Sequence, residues 1–382
     1  MLGAASRKMV RVGDGTVSPS AGLPGLLAAP VPQDDLLLEA LATQPPEAVA
    51  GLLDRIAFHR IDGLAQRAVS RLPQDALDPW LRSSLRRRSQ RFAAAALSQA
   101  LALAEILESL DRASIAVVVM RGLRTLEAVY GDAALRPFED HDLLVLPRDR
   151  DAARVVLLHL GYEEQAWGLF RRGGVIVDLH IDPLGAHRRP SRQALFPMDV
   201  QSLLDRAAPG LVAGAPSFLL EPEDDLLLLA VHLVKHSFDR LVRVADVAHF
   251  VYQKRAALDW ERLFHRAREC GAVRILGWAM QAASLLGVTM RAVDLPAVED
   301  DGALARLLMS RVGDLRPLPY TGEVLMALAA PTLGAGLLFL LDALWPAGER
   351  PEGAWRKTAA LPRRVFDLAA GGASRLSERR RR

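Results

Sequence analysis

Three aspartates carry the chemistry most readily read from this chain. Asp140 and Asp142 are two residues apart in DHDLLVL (140–146). That run predicts a strand with both carboxylates on one face, roughly 6 to 7 Å apart. Carboxylates that close repel unless a cation sits between them, and a hard divalent ion, magnesium or manganese, takes oxygen ligands. Asp178 lies in VIVDLHI (175–181) and shares its strand face with Ile176, His180 and Asp182. A third carboxylate from a neighbouring strand would complete a two-metal site for in-line attack on phosphorus. The structural alternative is plain: an acid at the start of a strand is often a turn or cap residue, and a lone D-x-D arises by chance in many proteins.

Other polar residues fall where they could serve such a site. Arg124 and Arg136 could meet phosphates, although a loop arginine is more often solvated. His180 could orient Asp178 or contact substrate, or equally be a strand histidine satisfied by a carbonyl. Further on, His232, His236, Asp239, Arg243 and Asp246 share an arc of about 80° at 100° per residue, if one helix runs unbroken past Ser237. The arc reads either as a solvated face with i,i+4 pairs or as a wall opposite the carboxylates that contacts base, ribose or acceptor. Zinc held by His232 and His236 is a third option. Leu233 stands where the H-E-x-x-H protease pattern needs glutamate, which argues against a metalloprotease.

The elements that must position these residues alternate in texture. Residues 32–113 are helical by periodicity, with a long amphipathic stretch from Pro79 to Leu110. Its run Arg86, Arg87, Arg88 is expected to be a solvated face rather than a nucleic-acid patch. IAVVVM (115–120) reads as a buried strand. Gly122, a short helix to Tyr130, the loop GDAALRP and the strand 140–146 follow. A helix from Pro147 to Gly161 comes next, then a strand-like stretch 162–172 and, across Gly173-Gly174, the strand 175–181. Residues 114–185 thus predict a small mixed sheet, and from about Ser191 everything reads as helix. Residues 1–31 read as a disordered N-terminus, 186–345 as a C-terminal helical domain, and 346–382 as a basic tail.

Composition limits the alternatives. The 382 residues are 51% apolar and 24% charged, enough to bury a sizeable core. A single cysteine, Cys270, excludes a disulfide scaffold and a Cys-rich zinc module and fits a reducing, cytoplasmic setting. Only four lysines accompany 44 arginines, a skew expected of GC-rich coding, and a net charge of +3 gives no strong nucleic-acid signal. Residues 1–30 hold no signal-peptide core. The uncharged run 324–341 has 18 residues, the lower limit for a membrane span. Pro331, Thr332, Gly334 and Gly336 interrupt it, so two buried helices are expected and no span.

The order strand, glycine turn, helix, arginine loop, D-x-D strand and later acidic strand resembles the nucleotidyltransferase superfamily with the polymerase-β-like fold. More closely, the chain looks like a bacterial group of uncharacterised nucleotidyltransferase-family proteins. The matching residues are Arg121-Gly122, Arg136-Pro-Phe-Glu-Asp140-His-Asp142-Leu-Leu-Val145, Gly161-Tyr162 and Val177-Asp178-Leu-His180. HLVKH (232–236), Arg243 with Asp246, and Asp259-Trp260 follow in the expected order. The resemblance spans roughly residues 33–290. It departs at Gly122-Leu123, where the superfamily usually has Gly-Ser or Gly-Gly, and at Arg121, where the close group mostly has lysine.

The resemblance implies an α+β fold, with a small mixed-sheet nucleotidyltransferase core flanked by N- and C-terminal helical regions. It implies magnesium- or manganese-dependent transfer of a nucleotidyl group from an NTP to an unidentified acceptor. Asp140, Asp142 and Asp178 would be the metal-holding and catalytic residues. Arg121 and Gly122 would position the triphosphate, with Arg136, His180, His232, His236, Arg243 and Asp246 as further contacts. The alternative is a non-catalytic nucleotide-binding or accessory protein that keeps the fold.

Overall fold

The computed structural model describes residues 11–17, 22–43, 51–166, 168–184, 190–291 and 321–343. The N-terminal part comprises strand β1 (Arg11–Asp14) and helices α1 (Gly22–Ala28), α2 (Asp34–Ala42), α3 (Leu52–His59), α4 (Asp62–Ser70) and α5 (Pro79–Arg112). Strand β2 (Val117–Val119) leads through a short helical turn, Leu123–Thr125, and a π-helical turn, Leu126–Tyr130, to β3 (His141–Val145). Then come α6 (Arg150–His159), β4 (Glu163–Ala166), β5 (Leu169–Arg172), β6 (Val175–His180), α7 (Pro190–Leu195) and α8 (Val200–Arg206). After β7 (Ala208–Val212) and β8 (Ala215–Leu219) run α9 (Pro222–Lys235), α10 (Leu241–Lys254), α11 (Trp260–Glu269), α12 (Val273–Leu285) and β9 (Val288–Arg291). The last described helices are α13 (Thr321–Leu328) and α14 (Leu333–Ala343).

Seven strands form one mixed sheet in the order β4-β5-β6-β3-β2-β8-β7. β3 runs antiparallel to β2 and parallel to β6, and β2 is parallel to β8. The β-branched run at 117–119 is continuous because both faces of the central strands are covered. Val117, Val119, Leu143, Val145, Val177 and Leu179 pack on one side with Leu103, Ile106, Leu107 and Leu110 of α5 and with Leu157 of α6. Val118 and Leu144 point the other way, into the large helical core that includes α9 and α10. By strand alternation, Asp142, Asp178 and His180 share the side facing those helices.

α5 serves both layers. Its start is fixed by Asp78, whose carboxylate accepts from the Trp80 N–H at 2.8 Å, with Pro79 in the first turn. Leu81 and Leu85 enter the helical core, and the far end covers the sheet. Among the described residues it is the one helix long and apolar enough to cross a bilayer.

The fold departs from the sequence-based expectations in five places. First, the N-terminus is not wholly disordered: β1 pairs antiparallel with β9, and Leu23, Leu27 and Ala28 of α1 are buried. Gln33 ties this corner down, accepting from the Val17 N–H and donating to the Gly15 carbonyl. Second, the stretch 162–172 is two strands, β4 and β5, rather than one. Third, the chain beyond Ser191 is not all helix. β7 and β8 form a hairpin on the sheet edge, so the sheet reaches past residue 185. Its turn uses Ala213 and Gly214, both with positive φ, and an Ala-Gly pair is a faint turn signal beside Asn-Gly. Fourth, the run 324–341 does break into two helices, but they are only half buried. Leu325, Met326 and Phe339 face inward while Leu333, Leu337 and Leu338 are exposed. Fifth, the helix carrying His232 stops at Lys235, and Ser237 and Phe238 adopt φ of 59° and 55° before α10 begins. The basic tail 346–382 lies outside the described residues.

Candidate functional site

The β3–β6 register places Asp142 directly opposite Asp178, and Leu144 opposite His180. Adjacent strands lie about 4.8 Å apart, so the two aspartates form a paired carboxylate floor. Asp142 Oδ1 lies 2.9 Å from His180 Nε2, and that nitrogen is 3.4 Å from Asp178 Oδ2. Ligand atoms of Asp142, Asp178 and His180 fall within 4.8 Å of one another. Asp140 is set apart: it precedes β3 rather than lying on it, and it lines the cleft beside this cluster without belonging to it.

Arg121 crosses the floor from the end of β2. Its Nε donates to Asp142 Oδ2 at 2.8 Å and its Nη2 reaches Oδ1 at 2.7 Å, a bidentate pair among buried groups. Burial alone would raise the Asp142 carboxyl. The Arg121 charge and the hydrogen bonds from His180 and Arg121 overcome it and hold Asp142 well below the usual carboxylate range. Asp140 moves up instead, through burial first and the neighbouring Asp142 charge second, with Arg121 opposing. Two carboxyls pushed in opposite directions on one floor is the pattern expected where acid–base and charge-holding roles divide.

Gly122 follows with φ 64°, and a Cβ there would stand 3.0 Å from the Asp140 carbonyl oxygen. Only glycine fits without strain where the turn passes so close to the D-x-D segment. Just beyond, Arg124 Nη2 reaches Asp225 of α9 at 3.2 Å, tying this turn to the helical wall.

The opposite wall comes from α9, α10 and the α3–α4 junction. His232 and His236 lie one turn apart with ring centroids 4.5 Å from each other. Arg243 Nε donates to His232 Nε2 at 3.3 Å and its Nη1 pairs with Asp239. Burial first, then nearby cations, keeps both imidazoles neutral, with His236 depressed to about 2. Arg136 lines the cleft, but its guanidinium is clamped on Asp246, with Nη2 to Oδ2 at 2.7 Å and Nε to Oδ1 at 3.0 Å. Asp246 also accepts from the Tyr130 hydroxyl at 2.9 Å and does not line the cleft. Its placement among the nucleotide contacts is therefore corrected: Asp246 anchors Arg136 from behind.

The cleft so formed measures about 290 Å³. It gathers Arg121, Gly122, Arg136, Asp140, Asp142, Asp178, His180, His232, His236 and Arg243, and adds Arg60, Phe138, Lys235 and Arg240, which were not singled out from sequence. Lys235 sat inside the HLVKH run and could have been found there. Arg60 had no signal, because its approach to residues nearly two hundred positions later is purely tertiary.

A family model described as "Uncharacterised nucleotidyltransferase" matches residues 45–287. The chain belongs to this family. The match covers every sheet residue from β2 to β8 and all the cleft-lining residues, from Arg60 to Arg243. No curated protein and no solved structure matches the chain. As a nucleotidyltransferase-family protein it has the expected α+β architecture, a mixed sheet with helical flanks.

Proposed function

We propose that this nucleotidyltransferase-family protein transfers a nucleotidyl group from an NTP to an acceptor hydroxyl, with a divalent cation held on the carboxylate floor. The observation that carries this reading is the pairing of Asp142 with Asp178 across β3 and β6, beside the Gly122 turn. The donor set fits such an ion: carboxylate oxygens predominate, one imidazole nitrogen is in reach, and no thiolate is present. Asp142 and Asp178 would hold the ion, with Asp140 alongside. When bound, magnesium or manganese would neutralise charge on the triphosphate and favour ionisation of the acceptor hydroxyl.

The protein's own groups account for the remaining steps. The acceptor oxygen bonds to the α-phosphorus, the bond from that phosphorus to the α–β bridging oxygen breaks, and pyrophosphate leaves with the electron pair. Asp178 receives the hydroxyl proton. His180, within hydrogen-bond reach of Asp142 and close to Asp178, orients both carboxylates. Arg121 swings between Asp142 and the triphosphate, where its planar fork can hold phosphate oxygens.

One observation favours a second reading, a non-catalytic nucleotide-binding protein: both Asp142 oxygens are already engaged by Arg121. Stabilisation by nucleotides separates folded binders from inert scaffolds, since a ligand bound only by the native state raises apparent stability. The catalytic reading expects NTPs to raise Tm in a magnesium-dependent way, with the effect lost in Asp178→Asn. Magnesium-independent binding that ignores Asp178 would favour the accessory reading.

A further inference from the structure

The cleft is electrically divided. Its floor carries three carboxylates with Arg121 across them, and its far wall gathers Arg60, Arg136, Arg240 and Arg243. Two of these cations have carboxylate partners, Arg136 on the buried Asp246 and Arg243 on the half-buried Asp239. Among the described residues Arg60 pairs with Glu139, whose side chain is 66% exposed. Arg240 has no carboxylate in ion-pair range among the described residues, and its guanidinium sits 5.7 Å over the Phe58 ring. The group repels itself: Arg60 is pushed down to about 10 by burial and then by Arg240, Arg243 and Arg136, with Asp140 of the floor opposing.

The backbone is strained to make this arrangement. Arg60 sits at φ 57° where α3 ends, and Ser237 and Phe238 are left-handed where α9 gives way to α10. These are three of the five non-glycine residues with positive φ among those described: Arg60 lines the wall, and Ser237 and Phe238 lie in the link between the lining residues His236 and Arg240. Left-handed non-glycine residues cost free energy and persist where surrounding structure enforces them, often at ligand sites. The His59 Nδ1 accepts from the Leu241 N–H at 3.3 Å, which holds the Arg60 corner against the start of α10. The N-terminus of that 14-residue helix, with Arg240 just before it and Val242 and Arg243 in its first turn, lines the cleft, so its positive dipole end adds to the same field.

We propose that the Arg60–Arg240–Arg243 wall is a second anion subsite, separate from the triphosphate position at Arg121 and Gly122, and that it holds a phosphate group already present on a small acceptor. This rests on the nucleotidyl-transfer reading above. The phosphate is a handle that stays intact while a hydroxyl elsewhere on the acceptor reacts. Several converging guanidiniums suit a dianion with many acceptor oxygens better than a single carboxylate. The nucleotide shares this one cleft, which leaves room for a small acceptor only.

The test uses the full chain and inorganic phosphate as probe, with acetate at matched ionic strength as control. Thermal stabilisation is read with and without saturating magnesium and α,β-methylene-ATP. The expected result is a Tm rise from phosphate, not acetate, that adds to the nucleotide effect. Arg240→Gln and Arg60→Gln, each confirmed folded by its own melt, should each weaken phosphate roughly tenfold and leave the nucleotide effect in place. Arg121→Gln should do the reverse. Phosphate that competes with the nucleotide, that binds as well in both wall variants, or that gives no shift overturns the second subsite while a nucleotide shift keeps the enzymatic reading. Phosphate stabilisation with no nucleotide effect overturns the acceptor assignment and the transfer reading together.

Discussion

Asp142 and Asp178 stand opposite each other on adjacent parallel strands, and a single histidine nitrogen, His180 Nε2, lies within 2.9 Å and 3.4 Å of an oxygen of each. They are 36 residues apart in sequence, so their pairing depends on β6 lying against β3 in one register. A one-residue slip would send one of them to the opposite face of the sheet. The side they occupy is walled by α9 and α10, whose cations face them across the cleft.

Gly122 is where that cleft is most sensitive to size. In Gly122→Ala the left-handed φ and a methyl 3.0 Å from the Asp140 carbonyl act together. A loss of about 1–3 kcal/mol in stability is expected, together with loss of nucleotide-dependent stabilisation. Urea titration with and without magnesium-ATP measures both. Unchanged nucleotide binding would show that the turn does not contact the triphosphate.

The Arg136–Asp246 pair is buried and bidentate. Removing one partner strands the other charge, so Asp246→Ala is expected to cost about 3–5 kcal/mol. The double variant Arg136→Met with Asp246→Leu should recover much of that. Equal losses in the single and double variants, measured by chemical denaturation, would contradict a stranded-charge origin.

His249 gives the pH dependence its clearest handle. Burial first, then Arg67, depresses it to about 3, while its ring packs on Tyr130 at 4.9 Å. The unfolded chain therefore binds one more proton than the native state between about pH 6.5 and the folded value, and stability falls as pH drops through that window. His249→Gln should remove about 1.4 kcal/mol per pH unit from the slope between pH 6 and 4.5. Identical slopes for wild type and variant would mean the imidazole is protonated in the fold.

Much of this site was legible because its signals are short-range. The spacing of Asp140 and Asp142, the run Val177-Asp178-Leu-His180 and the glycine after β2 each sit within a few residues. What was not legible depended on local breaks or distant contacts. The spacing from His232 to Asp246 implies one polar helix face, yet Ser237 and Phe238 turn left-handed and split it. Arg243 still returns to His232, at 3.3 Å across the corner, but Asp246 points away to Arg136. The β7–β8 hairpin hid in a segment with Pro209, Gly210, Gly214 and Pro216, where proline and glycine read as loop. Arg60 reached the cleft only because His59 meets the start of α10.

Incubating the purified chain with each α-³²P-labelled NTP and magnesium or manganese, in the presence of a small-molecule extract of cells, measures the chemistry itself. Asp142→Asn and Asp178→Asn are run beside wild type, each checked for a folded melt. The expected result is label appearing on an acceptor species with release of pyrophosphate, and at least a hundredfold slower transfer in both variants, about 2.7 kcal/mol of lost transition-state stabilisation. Transfer that continues at the wild-type rate without either aspartate, or no transfer and no magnesium-dependent binding of any NTP, would contradict it.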